Sequence, residues 1–208
     1  MRTLMLDEAA DPERAIVWND DRLLLLDQRV LPAEERFVET RDARETADAI
    51  RAMVVRGAPA IGITAAYGIV LSAMQHSKNW KQALAADIER LAASRPTAVN
   101  LFWALDRMRA RLVEIREADA DKPSRDVAEL LLAEAKAIHE EDRAMCRAIG
   151  RHGAELLESG QGVLTHCNAG SLATINYGTA TAPVYFAQQR GIDVHVWVDE
   201  TRPRNQGS

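Results

Sequence analysis

The residue most suited to chemistry is Cys167, which follows a short apolar stretch, residues 163–166. A turn of small residues comes next, made of Asn168, Ala169, Gly170 and Ser171. Backbone N–H groups in such a turn, and at the start of a helix that follows it, favour negative charge such as a phosphate or a thiolate. The pattern therefore predicts a catalytic thiol in a binding turn. The alternative is that Cys167 is a small buried hydrophobe, as free cysteines often are.

Two arginines stand directly before predicted helix starts, and either can bind phosphate. Arg56 precedes Gly57, Ala58 and a proline, and Arg95 lies in the similar segment 94–97. An arginine offers a planar fork of donors, and a helix N-terminus adds unpaired N–H groups. The alternative is that both arginines cap neighbouring helices or pair with surface carboxylates.

The remaining cysteine and histidines give no second site. Cys146 falls in the middle of a helical pattern and is predicted to be a core residue. His166 is next to Cys167, but adjacent strand residues point to opposite faces, so we expect no direct hydrogen bond and treat His166 as a packing residue. Neither the other histidines nor the two cysteines have zinc-site spacing. We predict no metal and no cofactor.

Composition limits the classes of partner. The chain has 208 residues, 47% of them hydrophobic, and a net charge of -5 from 26 basic and 31 acidic residues without a basic stripe. A nucleic-acid partner is therefore not expected. The two cysteines and a start without a signal-peptide pattern predict free thiols in the cytoplasm.

Two uncharged segments, residues 57–77 and 160–189, are long enough to cross a bilayer. Both contain too many polar residues for good insertion, so no membrane partner is expected. The small residues Gly62, Ala65 and Gly68 instead suit a helix packed closely inside a soluble protein.

The first part of the chain predicts a small sheet followed by helices. Three apolar runs within residues 15–39, separated by turn residues, predict an antiparallel meander. Helical spacing then predicts successive helices. The first covers residues 42–55, with Asp42 and Glu45 as a capping pair, and the second runs from Pro59 to about residue 75. The third runs from Trp80 to before Ser94, and the fourth runs from residue 98 to about 117 with Thr97 as its cap. A long helical pattern from Ser124 is either one helix or two helices joined near Gly150.

The last part predicts a β-α-β unit. Strands at 163–166 and 194–198 flank a helix at 172–189 that is interrupted or bent near Gly178 and Pro183. Strands so connected are parallel, and their carboxyl ends form a ligand crevice. Cys167 and Asp199 occupy those ends, where Asp199 could bind a sugar hydroxyl.

The predicted fold class is α/β. Residues 1–159 form a domain with a small antiparallel sheet and helices, and residues 160–208 start a Rossmann-like domain. A parallel sheet needs more than two strands, so further strands are expected either beyond this chain or from a partner.

Five ordered motifs resemble one family, the S-methyl-5-thioribose-1-phosphate isomerases of methionine salvage and methionine biosynthesis. This family is related to the alpha, beta and delta subunits of translation initiation factor 2B. The motifs are Trp18 with residues 26–29 and 31–32, then residues 55–62, 94–101, 165–174 and 198–204.

The resemblance implies an aldose–ketose isomerase that makes 5-methylthioribulose 1-phosphate, usually as a homodimer. It implies that Cys167 is catalytic. The implied substrate-binding groups are Arg56, Gly57, Ala58, Arg95, the turn residues Asn168, Ala169, Gly170 and Ser171, and Gln206 on the sugar.

The resemblance also implies a second catalytic group, an aspartate on a later strand, with a lysine nearby. This sequence ends before both, so we expect a truncated isomerase. A positioned proton-transfer group contributes about 100 to 10,000-fold in rate. The alternatives are a noncatalytic regulatory module like the initiation-factor subunits and a ribose-1,5-bisphosphate isomerase. The subunits generally lack the cysteine motif, so its presence favours an isomerase.

Overall fold

The computed structural model describes residues 2–4, 15–76 and 80–202. The first sheet contains β1 (Arg2–Leu4), β2 (Ile16–Asn19), β3 (Arg22–Leu26) and β4 (Phe37–Thr40). The helices are α1 (Ala43–Arg51), α2 (Ala58–Gln75), α3 (Trp80–Ala92), α4 (Val99–Ala118), α5 (Ser124–Ala154) and α6 (Ala182–Gln189). The second sheet contains β5 (Gly162–Thr165) and β6 (His195–Val198). The α/β class is confirmed.

The predicted meander is present, and a fourth strand extends it. The strand order is β1-β4-β3-β2, and all pairs are antiparallel. Asn19 pairs with Arg22, so the turn between β2 and β3 has two residues, and Asp20 adopts a φ of 55° there. Leu23 and Leu25 are fully buried in the core below the sheet. β1 was not predicted, because three residues are too few to show a strand pattern.

Helix α2 is the centre of the helical part. Among the described residues it is the one helix long and apolar enough to cross a membrane, but 78% of it is buried inside the protein. A Cβ on Gly62 would lie 2.7 Å from the carbonyl oxygen of Asn100, and one on Gly68 would lie 3.3 Å from Leu91. The small residues therefore allow α3 and α4 to approach α2 closely, as expected for a core helix.

The N-terminal cap predicted from the sequence is present at α1 but not at α4. The Asp42 carboxylate accepts a hydrogen bond of 2.6 Å from the Glu45 N–H, which confirms the capping pair. α1 ends at Arg51, earlier than predicted, and Met53 then takes a left-handed φ of 60°. The Thr97 cap is wrong, because α4 begins at Val99 with Ala98 in the cap position and no side-chain cap.

Helix α5 runs through Gly150 without a break, so the one-helix alternative is confirmed. The absence of a side chain at Gly150 lets the ring of Phe186 approach, since a Cβ there would lie 2.5 Å from it. Pro183 makes the same kind of contact at Gly153. These contacts fix α6 against the end of α5.

The predicted parallel strands are confirmed, with Val163 opposite Val196. The predicted helix over residues 172–189 is wrong before Ala182, but its predicted interruption near Gly178 is confirmed. The chain makes one 3-10 turn at Ser171–Ala173, and α6 begins only at Ala182. Gly178 takes a φ of 85°, and a Cβ there would lie 2.3 Å from the Ala169 carbonyl oxygen, so this sharp turn excludes a continuous helix. The domain division at residue 159 stays a prediction.

Two large apolar side chains are exposed on the second sheet. Leu164 and Trp197 face each other across β5 and β6 and are 68% and 60% exposed. Two strands alone do not cover these side chains, in line with the expectation that a parallel sheet needs more strands.

Candidate active site

The N-terminus of α2 is the place where the predicted segments meet. Gly57 has a φ of 95°, and a Cβ there would lie 2.4 Å from the Cβ of Ala173. Five residues later, Gly62 contacts the backbone of Asn100 at the start of α4. The loop that follows Cys167 and the helix that follows Arg95 thus both pack on the first turns of α2.

Arg56 is held by the loop that follows β3. Its Nη2 donates a 2.6 Å hydrogen bond to the main-chain carbonyl of Gln28. Gln28 is 1% exposed, and its side-chain Nε2 donates a 2.8 Å hydrogen bond to the carbonyl of Leu172. Gln28 therefore joins Arg56 to the loop that follows Cys167. The presence of a glutamine at position 28 did not predict this contact, although Gln28 lies in a motif that carries the family resemblance.

The loop around Gln28 is itself fixed by Asp27. The fully buried Asp27 carboxylate accepts hydrogen bonds from the Arg29 side chain at 2.7 and 2.8 Å and from Arg36 at 3.2 Å. Burial acts to raise the pKa of Asp27, but the hydrogen bonds from Arg29 and Arg36 outweigh it and lower the pKa below the ordinary value. The carboxylate stays ionised, so the loop keeps its arrangement at neutral pH.

Arg95 is half-buried and has capacity for a ligand. Its Nη1 is buried and has no hydrogen-bond partner among the described residues, nor does its side chain pair with a carboxylate there. The alternative that Arg95 pairs with a surface carboxylate is therefore not seen in this part of the chain. A buried guanidinium nitrogen of this kind suits an anion.

Cys167 is exposed and Cys146 is buried, and both thiols are free. The interpretation as a buried hydrophobe is thus correct for Cys146 and wrong for Cys167. Cys167 adopts a left-handed φ of 65°, which costs a non-glycine residue about 1–2 kcal/mol and is common at functional sites. The α-helix expected directly after the turn is absent: a single 3-10 turn follows, and α6 begins only at Ala182.

Hydrogen bonds hold the rest of the loop. The Ala169 carbonyl accepts from the Thr179 N–H at 2.8 Å and from the Thr181 hydroxyl at 3.1 Å. The Asp142 carboxylate of α5 accepts a 2.9 Å hydrogen bond from the Ile175 N–H. Burial raises the pKa of Asp142, and that hydrogen bond partly opposes the rise. The four turn residues 168–171 are half-buried.

The carboxyl ends of β5 and β6 lie side by side. The Asp199 N–H donates to the Thr165 carbonyl at 3.1 Å, and the Asp199 carboxylate lies 3.4 Å from Nδ1 of His166. Both side chains are exposed, so the prediction that His166 is a packing residue is wrong: it lies beyond the last strand residue, where the alternation of a strand no longer applies. Gln206 lies outside the described residues.

A cavity of about 340 Å³ lies beside the first turns of α2. Apolar side chains dominate its wall, and Asn100, Glu141 and Asp142 add polar groups. Its lining also includes Pro59, the residue after Ala58. Sequence patterns did not predict this cavity.

A polar pair formed by the buried Tyr67 and the half-buried His139 lies elsewhere, between α2 and α5. The Tyr67 hydroxyl is 3.1 Å from Nδ1 of His139, and Trp18 stacks on the tyrosine ring. Burial lowers the pKa of His139 to about 4 and raises the pKa of Tyr67 to about 12. In the described ranges, no group of three or more His, Cys, Asp or Glu side chains is placed to hold a metal. The expectation of no metal stays a prediction.

The chain matches a known family and is similar to several known proteins. Residues 54–208 match a family described as the Initiation factor 2 subunit family. The chain is similar to the methylthioribose-1-phosphate isomerase of Thioalkalivibrio sulfidiphilus, with 52% identity over 97% of this chain and 57% of the relative. It is also similar to a 5-deoxyribose 1-phosphate isomerase of Clostridium botulinum, with 48% identity over 93% of this chain and 56% of the relative.

Two solved structures are similar as well. The 5-methylthioribose 1-phosphate isomerase of Pyrococcus horikoshii has a TM-score of 0.83 and 37% identity over 93% of this chain and 54% of its own. The translation initiation factor eIF-2B subunit delta of A. fulgidus has a TM-score of 0.80 and 43% identity, and the match covers 94% of this chain and 56% of that subunit. The chain therefore spans little more than half the length of the relatives it matches.

Proposed function

The chain belongs to the Initiation factor 2 subunit family, and from this premise we propose that it carries the phosphate-binding and thiol parts of an aldose–ketose isomerase. The proposed reaction converts 5-methylthioribose 1-phosphate into 5-methylthioribulose 1-phosphate in methionine salvage. One observation carries the proposal. The loop after the exposed Cys167 packs directly on Gly57, at the helix start that follows Arg56.

The phosphate would lie at the N-terminus of α2. That end offers N–H groups and a positive dipole end, and Arg56 stands directly before it. Arg95 would add the guanidinium nitrogen that has no partner among the described residues. The backbone amides of Gly57, Ala58 and the turn 168–171 would complete the phosphate-binding groups. Gln206 would contact the sugar.

Cys167 would act at the first two sugar carbons. The anomeric carbon of the substrate is locked in a phosphate ester, so the ring must open before hydrogen moves between these carbons. The hydrogen moves either as a proton through an enediol or as a hydride, and a thiol next to the carbons serves as an acid–base group in the first route. The second acid–base group would be the aspartate that the family resemblance implies on a later strand. Homodimer formation and a cytoplasmic location belong to this proposal.

A second substrate is favoured by a specific finding. The Clostridium botulinum relative, 48% identical, is named for 5-deoxyribose 1-phosphate. The two sugars share the ester and differ at carbon 5, so the same phosphate and thiol groups would serve both. The noncatalytic alternative rests on the similarity to the A. fulgidus subunit. A ribose-1,5-bisphosphate isomerase would need further cations for its second phosphate.

Titration calorimetry tests the binding site on this chain. Binding of 5-methylthioribose 1-phosphate should weaken about 10- to 100-fold in Arg56→Met and in Arg95→Met, since charged hydrogen bonds contribute about 1.5–3 kcal/mol each. Arg125→Met is the control, because that side chain is 90% exposed on α5. No binding of either sugar phosphate at millimolar concentration would refute the proposal.

NMR of the reaction mixture tests turnover. The Thioalkalivibrio sulfidiphilus relative is the positive control for ketose formation. A polypeptide restricted to residues 1–208 should bind the sugar phosphate with little turnover, because the implied aspartate is not among these residues. If ketose does form, Cys167→Ser should remove it and Cys146→Ser should not, because Cys146 is buried on α5. Turnover that survives Cys167→Ser would contradict the assigned role.

A further inference from the structure

Gln28 is a buried polar residue that contacts two separate segments, the loop before α2 and the loop after Cys167. Its N–H donates to the Val54 carbonyl at 3.0 Å, its carbonyl accepts from Arg56 at 2.6 Å, and its side chain donates to the Leu172 carbonyl at 2.8 Å. The first two contacts use the main chain and the third uses the side chain. One residue thus touches the predicted phosphate arginine and the loop after Cys167.

Stability alone does not favour glutamine at this position. The side-chain oxygen of Gln28 is buried and has no hydrogen-bond donor among the described residues. Burying an amide oxygen without a donor is unfavourable, whereas a leucine of similar size would avoid that cost. Among the described residues, the side-chain amide of Gln28 makes one hydrogen bond that an apolar side chain could not make. That hydrogen bond is with the Leu172 carbonyl, in the loop after Cys167.

We infer that Gln28 is a positioning residue: its side-chain amide holds the loop after Cys167 while its carbonyl holds Arg56, so that thiol and phosphate groups keep one relative geometry. This inference rests on the proposed function for its purpose. That the Gln28 side chain holds the loop after Cys167 can be tested independently of the proposed function. The main chain at Gln28 is already fixed by Asp27 and Val54, so a change of the side chain should release the loop first.

Amide hydrogen exchange measures the release of the loop. In Gln28→Leu, peptides covering residues 169–176 should exchange about five- to tenfold faster, the effect of one net hydrogen bond on a local opening equilibrium. Gln28→Glu keeps the length and replaces the donor by an acceptor, so it should act in the same direction. Gln75→Leu is the matched control. The amide of Gln75 also donates to a main-chain carbonyl, that of Arg41, but at the other end of α2.

Faster exchange confined to residues 169–176 supports the inference. Unchanged exchange there, or an equal rise across the whole chain, overturns it. Affinity for 5-methylthioribose 1-phosphate should fall about five- to tenfold in both Gln28 variants and stay constant in Gln75→Leu. If the unmodified chain does not bind the sugar phosphate, the proposed function fails while the exchange result still decides whether Gln28 holds the loop.

Discussion

Replacing Gly57 by alanine should disturb both the fold and the site. Gly57 has a φ of 95° and a ψ of 141°, a conformation that side chains rarely adopt. The new Cβ would lie 2.4 Å from the Cβ and 2.5 Å from the Cα of Ala173. Because Ala173 follows the turn after Cys167, the loop must move away or the start of α2 must distort.

The expected cost has two parts. The unfavourable backbone conformation costs about 1–3 kcal/mol. An ordinary carbon–carbon contact is about 3.5–4.0 Å, so Ala173 must retreat by about 1 Å, and overpacking of this kind costs about 1–3 kcal/mol. A small gain from the stiffer unfolded chain offsets part of this. We expect a total loss of about 2–5 kcal/mol in the free energy of unfolding.

Urea unfolding gives the measurement, and Gly160→Ala is the matched control. Gly160 also has a positive φ, 87°, but no atom lies within 4 Å of its added Cβ. The difference between the two variants isolates the clash with Ala173 and should be about 1–3 kcal/mol. Equal losses in the two variants, within about 0.5 kcal/mol, would refute the close packing of the loop on α2.

The remaining predictions concern the thiols, one histidine and one buried carboxylate. Iodoacetamide should label Cys167 in the folded chain and reach Cys146 only after unfolding, as read by peptide mass spectrometry, since the first is exposed and the second buried. Burial lowers the pKa of His139 from 6.5 to about 4. At pH values between these two, His139 is protonated in the unfolded chain but neutral in the folded chain. Stability should therefore fall by roughly 3 kcal/mol as pH decreases from 6.5 to 4, and His139→Leu should lessen that slope in urea unfolding at stepped pH. Asp27→Ala should cost about 2–4 kcal/mol by the same assay, because two arginines lose a buried partner, and a loss below about 1 kcal/mol would contradict this.

Local patterns predicted the elements whose signals are contained in a few neighbouring residues. The meander has alternating apolar runs and a two-residue turn, and α3 shows Trp80, Leu84 and Ile88 on one buried face. The missed and misplaced elements depend on distant contacts. The segment before α6 has apolar residues at helical spacing, yet Gly178 must turn there to pass the Ala169 carbonyl.

The site was predictable only in part. Cys167 stood out because its position combines a strand end with a turn. The places of Arg56 and Arg95 before helix starts left phosphate binding and a structural role both open, and the family resemblance favoured phosphate binding. Gln28 was missed as a contact residue, because the hydrogen bond that gives it a role joins residues 144 positions apart. No periodicity or capping rule reports a contact across that distance.

The two-stranded sheet also affects how the chain behaves in solution. Neither outer edge of the β5–β6 pair has a strand neighbour within the described residues, and Leu164 and Trp197 are exposed on it. Free strand edges beside apolar side chains are where separate molecules add strands to one another. A polypeptide restricted to residues 1–208 should therefore self-associate at this end when concentrated, and a lysine introduced on an edge should improve its solubility without touching the packing around α2.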